Sequence, residues 1–406
     1  MKQLPPAQYQ KYTAMAGKIS RAAAFVLAVM LLSACERQPA TTPAPAPAEK
    51  PPATQAQDQR AADVQVGMRG GQPIDLLGET IPPGSMRRLL WSGGQSFDGS
   101  SDQTPVLVIN GTARGPTLCL TGAIHGDELN GIEIVRRVTQ DLEPARIRGA
   151  VIGIPIVNLQ GFRRGSRYLP DRRDLNRHFP GNPNGSAASR IAWSLFDGII
   201  RHCDGLVDVH TGSLSRTNLP QLRADLHDEK VRDFVQGFGG MLVLHNPGRA
   251  GTLRYAAARA GIPAVTLEAG EPGRLQSAQV REGTAGIVRL LDAMKIVNRV
   301  NLLSEARPVY YQSKWVRADH GGILFSLVRL GQIVEAGDVL GTVTDPISNE
   351  QNLIYTPVDG RVIGMALNQM VMPGFATFNL GIAASAVPDD SLTAAPDPLA
   401  DDRPEE

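Results

Sequence analysis

The chain lacks an excess of charge, has few cysteines and contains no convincing internal repeat. Its 406 residues carry 41 Lys and Arg against 40 Asp and Glu, a formal net charge of +1. The sequence has no excess of basic residues that would bind the phosphates of nucleic acid, so we expect no nucleic-acid partner. The three cysteines, Cys35, Cys119 and Cys203, allow at most one disulfide. The apolar strand pattern around Cys119 and the helix end at Cys203 predict two buried thiols, with a single disulfide as the alternative.

The N-terminal apolar run, 22–32, is too short to span a membrane. Four basic residues precede it: Lys2, Lys11, Lys18 and Arg21. This order is typical of a secretory signal peptide. The run ends in Leu32-Ser-Ala-Cys35, which resembles a bacterial lipobox and implies cleavage before Cys35 and its acylation, with an ordinary cleaved signal as the alternative. We therefore expect a lipid-anchored protein of the bacterial cell envelope that faces the periplasm, and Glu36 favours the outer membrane.

Composition divides the chain into five segments. Residues 1–35 form the predicted lipoprotein signal peptide, and the Pro- and Ala-rich residues 36–64 predict a disordered tether. Residues 65–304 alternate between strand-like and helix-like patterns and predict the main domain. Residues 305–384 consist of short apolar runs broken by turns, which predicts a small all-β domain. The Pro-rich, acidic residues 385–406 predict a disordered tail.

Strands and helices alternate in the main domain. The patterns predict strands at 86–91, 106–110, 117–124, 150–158, 205–210, 241–245 and 264–269, and helices at 131–142, 186–201, 228–238, 252–260 and 278–297. Several of these strands are continuous apolar runs, which is typical of strands covered on both faces. We therefore predict an α/β fold with a mixed, largely parallel sheet flanked by helices. Side chains at the carboxyl ends of such strands meet in one crevice.

Two histidines and a glutamate occupy such positions. His125-Gly-Asp-Glu128 follows the apolar run 117–124 and opens a predicted helix, and His210 follows a second apolar run. Imidazole and carboxylate are zinc ligands, and three protein ligands leave a fourth position open, as in catalytic zinc sites. The alternatives are a helix N-terminus at which Asp127 and Glu128 favour the dipole, and a structural histidine at 210.

Four motifs, in this order, resemble the succinylglutamate desuccinylase/aspartoacylase family, which is related to the zinc carboxypeptidases. They are Gly122-Ala-Ile-His-Gly-Asp-Glu-Leu-Asn-Gly131, Asp174-Leu-Asn-Arg-His-Phe-Pro-Gly181, Asp208-Val-His210 and Leu267-Glu-Ala-Gly270. The resemblance extends over most of 84–382. It implies a zinc-carboxypeptidase-like catalytic domain within 65–304 that binds one Zn²⁺ through His125, Glu128 and His210.

The resemblance also implies roles for four further residues. Glu268 ends an apolar strand and would act as the general base, with Glu271 as its rival. Arg167 would polarise the scissile carbonyl, and the alternatives for this role are Arg163, Arg164, Arg172 and Arg173. Asn176 and Arg177 would bind a substrate carboxylate, for which a planar guanidinium is well suited.

Two aspartates near these residues have open roles. Asp208 lies on the same strand face as His210, so it would support this ligand or cap a loop. Asp174 would form a structural pair with Arg177 if the carboxylate-binding role were wrong. The segment 308–382 resembles a biotinyl/lipoyl-carrier barrel over about sixty residues, but 345–352, at the hairpin tip, has no lysine for the cofactor. We therefore expect a barrel-like scaffold or lid.

These observations predict a zinc-dependent hydrolase that cleaves an amide bond in a small carboxylate-bearing substrate. An N-acyl-amino-acid deacylase of desuccinylase/aspartoacylase type is the leading hypothesis. The export signal favours a second, an envelope metallocarboxypeptidase or amidase that acts on peptidoglycan peptides. A third is a non-catalytic zinc-containing envelope lipoprotein, against which the presence of all three ligands and Glu268 argues. The sequence gives no indication of the acyl group or the oligomeric state.

Overall fold

The computed structural model describes residues 70–95, 101–298 and 308–383. The predicted signal peptide with Cys35, the whole predicted tether and the predicted tail lie outside these residues, as do all four predicted segment boundaries. Within the described part, no helix combines the length and the apolar character that a membrane crossing requires.

The described strands and helices follow the predicted alternation and then give way to strands alone. The strands are β1 (Ile74–Leu76), β2 (Glu79–Ile81), β3 (Ser85–Gln95), β4 (Ser101–Asn110), β5 (Ala113–Gly122), β6 (Arg148–Ile154), β7 (Gly205–His210), β8 (Arg216–Ala224), β9 (Leu242–His245), β10 (Ala264–Gly270), β11 (Val309–Tyr310), β12 (Gln312–Arg317), β13 (Gly322–Ser326), β14 (Ile333–Val334), β15 (Val339–Thr344), β16 (Gln351–Tyr355), β17 (Gly360–Ala366), β18 (Gln369–Val371) and β19 (Ala376–Ile382). The α-helices are α1 (Leu129–Gln140), α2 (Leu159–Arg163), α3 (Ala187–Gly198), α4 (Glu229–Gln236), α5 (Leu253–Arg259) and α6 (Ser277–Ala293).

Most of these strands belong to one mixed sheet of 13 strands. Its middle is parallel, because β5 pairs with β6 and β7, and β7 pairs with β10. Antiparallel strands lie on both sides, with β4 beside β6 and β8 beside β10. The predicted mixed sheet flanked by helices is therefore confirmed, and the parallel pairing coincides with the most continuous apolar runs. β7, for example, is buried at every position.

Two hydrophobic cores lie on opposite faces of the central sheet. Successive side chains of a strand point to opposite faces, so Leu206 packs in the core that includes α3 and α5, and Val207 in the core that includes α1, α4 and α6. Burial of each such side chain contributes about 1.5–3 kcal/mol. These two cores hold β5, β7 and β10 in register, and their carboxyl ends therefore lie side by side.

The prediction of two buried thiols is wrong. Cys119 on β5 and Cys203, just before β7, form a disulfide between chain positions 84 residues apart, with a Cα–Cα distance of 5.8 Å. The pairing of β5 with β7 brings the two cysteines together, since Cys119 lies opposite Leu206. The bond therefore links the strands that precede His125 and end at His210.

The C-terminal β region is continuous with the main sheet. β17 pairs with β8, and β19 and β12 follow it outward, whereas β13, β15, β16 and β18 form a separate four-stranded sheet. A third hydrophobic core includes residues from both sheets. The guanidinium of Arg216 on β8 lies over the rings of Trp315 and Phe375, at 5.4 and 4.3 Å from their centroids. The C-terminal region is thus tied to the strand beside β10.

Candidate metal centre and active site

The loop between β5 and α1 carries His125. Ala123 has a φ of +47°, a strained conformation of the kind that clusters at functional sites. Gly126 is required by close packing, because a Cβ there would lie 2.1 Å from the backbone of Gly161 in α2. The amide of Glu128 donates to the carbonyl of His125 over 3.2 Å and closes the turn. The loop is therefore fixed from both sides with His125 directed inward, where it is buried.

Glu128 is the N-cap residue of α1, but its side chain makes no capping hydrogen bond. Its Oε1 lies 2.8 Å from Nδ1 of His125, and its Oε2 lies 2.8 Å from Nδ1 of His210. The amide of Thr211 donates to Oε2 over 3.1 Å. The carboxylate therefore faces the two imidazoles, which argues against the helix-dipole alternative as its main role.

A second carboxylate lies behind each imidazole. Oδ1 of Asp174 is 3.1 Å from Nε2 of His125, and Oδ2 of Asp208 is 2.8 Å from Nε2 of His210. Thr121 donates to the other oxygen of Asp208 over 2.8 Å. In a neutral ring, a carboxylate that accepts the proton on Nε2 leaves the lone pair of Nδ1 directed at Glu128. Both rings are thus oriented with Nδ1 as the atom that would bind an ion.

The donor set fits a divalent transition-metal ion. The ligand atoms of His125, Glu128 and His210 lie within 4.8 Å of one another, and all three side chains are buried. Burial would raise the pKa of Glu128, but His125 and His210 outweigh it and hold that pKa well below its ordinary value. Burial would lower the pKa of His210, but Asp208 and Glu128 raise it well above 6.5. A metal ion bound at His210 would take the place of the proton on this ring and balance the negative charge of Asp208 and Glu128. Metal binding would therefore release a proton.

Arg167 lies beside this cluster, in the long segment after β6. Its Nη1 donates to Oγ of Ser213 over 2.8 Å and lies 3.0 Å from Nδ1 of His125. Its Nη2 donates to Oδ2 of Asp174 over 2.8 Å. Burial opposes its charge, but Asp174 and Glu128 raise the pKa of Arg167, so a permanent cation faces the cluster.

Glu268 ends the apolar part of β10 directly beside His210, its partner in the β7–β10 register. It is 6% exposed, its Oε2 accepts a hydrogen bond from Asn218 over 3.1 Å, and its Oε1 lies 3.4 Å from Nε of Arg223. Its rival, Glu271, instead pairs with Arg274 at 3.0 Å. The geometry thus favours Glu268 as the acid beside the cluster.

Asn176 and Arg177 are linked to the cluster by their contacts with Asp174. The backbone amide of Asn176 donates to Asp174 over 2.9 Å, and its side-chain oxygen accepts from the amide of Leu253 over 2.8 Å. Arg177 lies 3.9 Å from Asp174 but donates to the carbonyl of Asn176 over 2.9 Å. The closest ion pair of Asp174 is therefore with Arg167 rather than Arg177.

Several known proteins are similar to this chain in sequence and fold. Residues 114–294 match the succinylglutamate desuccinylase/aspartoacylase catalytic domain. N-alpha-acetyl-L-2,4-diaminobutyric acid deacetylase from Halomonas elongata is 28% identical over 253 residues, which are 59% of this chain and 74% of that protein. A solved succinylglutamate desuccinylase/aspartoacylase structure from Rhodobacter sphaeroides is 25% identical, with a TM-score of 0.67 over 73% of this chain and 94% of that one.

The family model, the curated relative and the solved structures all indicate the succinylglutamate desuccinylase/aspartoacylase family. The resemblance seen in the four sequence motifs is thus confirmed. An ectoine utilization protein from Ruegeria pomeroyi shares the fold, with a TM-score of 0.67 and 24% identity over 77% of this chain and 99% of that one. The family and these relatives indicate an amide hydrolase similar to N-acyl-amino-acid deacylases, with a possible His-Glu-His metal site.

Several residues that surround the site were not identified from the sequence. Asn218 and Arg223 contact Glu268, and both lie on β8, a strand without a clear apolar pattern. Arg254 on α5 is buried, and burial together with the charge of Arg223 lowers its pKa to about 10. Asp174 was considered only as a partner of Arg177. Its place in the Asp174-Leu-Asn-Arg177 motif was the one available signal for a role at the metal site.

Proposed function

We propose that this chain is a zinc-dependent amide hydrolase that removes an acyl group from the nitrogen of a small, carboxylate-bearing amino acid. The observation that carries the proposal is the convergence of Nδ1 of His125, Nδ1 of His210 and the carboxylate of Glu128, with carboxylates behind both rings. Two imidazoles and one carboxylate are the donor set of several catalytic zinc sites. The similarity to a deacetylase of an N-acetylated amino acid supports the substrate class.

The residues around the cluster have complementary tasks in this proposal. A zinc ion held by the three ligands would supply a Lewis acid and lower the pKa of a water molecule from ~15.7 toward ~7. Glu268 accepts the proton of the attacking water and passes it to the departing amine. Arg167, oriented by Ser213 and Asp174, stabilises the developing oxyanion. Arg177 orients the substrate by its carboxylate, together with Asn176.

A glutamine at position 268 tests this assignment, and Glu271→Gln is the matched control. We expect Glu268→Gln to retain the metal and lose about 10²–10⁴-fold in kcat, because glutamine cannot accept the proton. Glu271→Gln, which removes the ion pair with Arg274, should keep near-native turnover. Amine release from N-acetyl- and N-succinyl-amino acids measures both, and metal analysis checks ion content. Near-native turnover in Glu268→Gln would remove the proposed base.

Anchorage in the cell envelope by acylation of Cys35 is part of the proposal. The Cys119–Cys203 disulfide supports export, because structural disulfides persist in oxidising compartments. Cys35→Ser should abolish incorporation of labelled palmitate, and unchanged incorporation would contradict the anchor.

Export also supports a second candidate function, that of a metallocarboxypeptidase or amidase. An exported enzyme would meet peptidoglycan peptides, whose stems carry free carboxylates that Arg177 would bind equally well. Muropeptides belong in the same amine-release assay as the acyl-amino acids. Faster turnover of muropeptides than of any acyl-amino acid would favour the second candidate.

A further inference from the structure

A buried amide on the neighbouring strand contacts Glu268 and has no task in the scheme above. Asn218 on β8 is 3% exposed, and its Nδ2 donates to Oε2 of Glu268 over 3.1 Å. A carboxamide donates only through its nitrogen. Contact with a carboxylate therefore requires Nδ2 to face Glu268 and Oδ1 to face the opposite side. There the amide meets the C-terminal β region.

Gly364 on β17 leaves the space that the amide of Asn218 occupies. The register places Asn218 opposite Gly364 on one side and opposite Gly270 of β10 on the other. A Cβ at residue 364 would lie 2.5 Å from Oδ1 of Asn218, closer than non-bonded atoms approach. Glycine weakens a strand interior and often marks a close approach of another group. The absence of a side chain at 364 therefore lets Asn218 extend toward Glu268.

We propose that Asn218 is a positioning residue for the general base, and that β17 sets the place of Asn218 through Gly364. The inference rests on the proposed function, since it takes Glu268 as the base. It also gives the C-terminal β region a part in catalysis. Through Gly364 and Asn218, the region would fix the position of the Glu268 carboxylate, beyond the expected role of a scaffold or lid. A base must be held close to one geometry by residues that are themselves fixed, and a misplacement of about 1 Å can cost about 10²-fold in rate.

The effect should fall on turnover and spare binding. The metal ligands and the residues proposed for the substrate carboxylate lie on other elements, on the β5–α1 loop, on β7 and at Asn176 and Arg177. We therefore expect Asn218→Ala to lower kcat about 10- to 100-fold, with KM and zinc content unchanged. Gly364→Ala should lower kcat in the same way by displacing the amide. A purely structural role would instead lower the melting temperature and leave kcat of the folded enzyme intact.

A double-mutant cycle on the zinc-loaded protein tests the link. Asn218→Ala, Gly364→Ala and the double variant are compared, with Asn218→Ser where Ala does not fold. Gly360→Ala is the matched control, because Gly360 lies on β17 like Gly364. Its Cβ would instead meet the carbonyl oxygen of Gly381 on β19 at 2.9 Å, away from Glu268. We expect the double variant to be no slower than Asn218→Ala, since the second change removes nothing more. Gly360→Ala should lose stability but keep kcat.

Two results would overturn the inference. Native kcat in folded Asn218→Ala or Asn218→Ser would remove Asn218 as a positioning residue. A double variant whose loss is the product of the two single losses would remove the link through Gly364. Glu268→Gln, assayed in parallel, separates the two proposals. If it is inactive while the Asn218 and Gly364 variants are native, only this inference fails, whereas an active Glu268→Gln removes the base itself.

Discussion

Two groups of side chains in the described part of the chain have the composition of a metal site. The first cluster is His125, Glu128 and His210, and the second cluster is Asp225, His227 and His245. In each cluster, the potential ligand atoms lie within 4.8 Å of one another. Composition and proximity therefore do not distinguish them. The first cluster is buried, whereas His227 in the second is exposed.

The two clusters differ in how the histidine rings are oriented. In the first, Asp174 and Asp208 face the Nε2 atoms, and both Nδ1 atoms are directed at Glu128, with Nη1 of Arg167 also 3.0 Å from Nδ1 of His125. In the second, the backbone amide of Leu226 donates to Nδ1 of His245 over 3.1 Å. That lone pair is then occupied, and the proton of the neutral ring lies on Nε2. The first cluster is therefore distinguished by the carboxylates that orient both of its rings toward a third ligand, the arrangement that supports metal binding.

The largest effect is expected from the first cluster. Replacing His125, Glu128 or His210 by Ala should reduce tightly bound zinc from one ion per chain to none, because two remaining ligands no longer make a structural or catalytic zinc site. Turnover should fall below detection with the metal. Metal analysis of dialysed protein measures the first effect, and circular dichroism checks that the variant folds. Full zinc content in a folded His210→Ala variant would contradict the assignment of the first cluster as the metal site.

The aspartates behind the rings should produce the next largest effect. Asp208→Asn cannot accept the Nε2 proton of His210 as a carboxylate does, so we expect zinc affinity to fall about 10- to 100-fold. Asp225→Asn, in the second cluster, is the matched control and should leave affinity unchanged. Competition with a chromogenic chelator measures both dissociation constants. Equal affinities in the wild type and Asp208→Asn would show that ring orientation does not depend on this carboxylate.

The candidate metal ligands and Glu268 could be identified from the sequence because their signals are local. His125, His210 and Glu268 follow or end apolar runs, and the runs form strands that lie side by side in the sheet. The central strands and the five long helices were predicted close to their positions for the same reason. The roles of these residues, and those of Asn176, Arg177 and Arg167, stay predictions. What the structure adds is the set of contacts between them.

β8 shows why the rest could not be predicted. Its sequence, Arg216-Thr-Asn-Leu-Pro-Gln-Leu-Arg-Ala224, has no apolar alternation and contains a proline, which is unusual inside a sheet. Yet most of its positions are buried, because β8 is an interior strand between β10 and β17. This burial depends on strands that are distant in sequence, as does the Cys119–Cys203 disulfide. Asn218 and Arg223 were missed together with their strand.

A smaller effect is expected in the response to acid. The pKa values of Glu128 and Asp174 lie below their ordinary values of 4.5 and 3.8 in the folded chain, so both carboxylates stabilise the fold above those values. This contribution is lost as the pH falls below 4.5 toward the folded pKa values, by about 1.4 kcal/mol per pH unit for each fully titrating group. Urea unfolding of metal-free protein between about pH 5 and about pH 3 should show a steeper loss of unfolding free energy in the wild type than in Glu128→Gln. Identical slopes would contradict the charge coupling within the first cluster.

The smallest effect is expected from the second cluster. The double variant His227→Ala/His245→Ala should retain one zinc ion per chain and native turnover. The reason is that Nδ1 of His245 accepts the amide hydrogen of Leu226 and does not bind an ion. Its cost should appear in stability alone, about 0.5–1.5 kcal/mol for the lost hydrogen bond, since His227 is exposed. Zinc titration of both proteins decides the matter. The prediction would be contradicted if the wild type bound two zinc ions and the double variant bound one. Zinc would then displace the amide of Leu226 from His245, and ring orientation in the metal-free chain would not distinguish the two clusters.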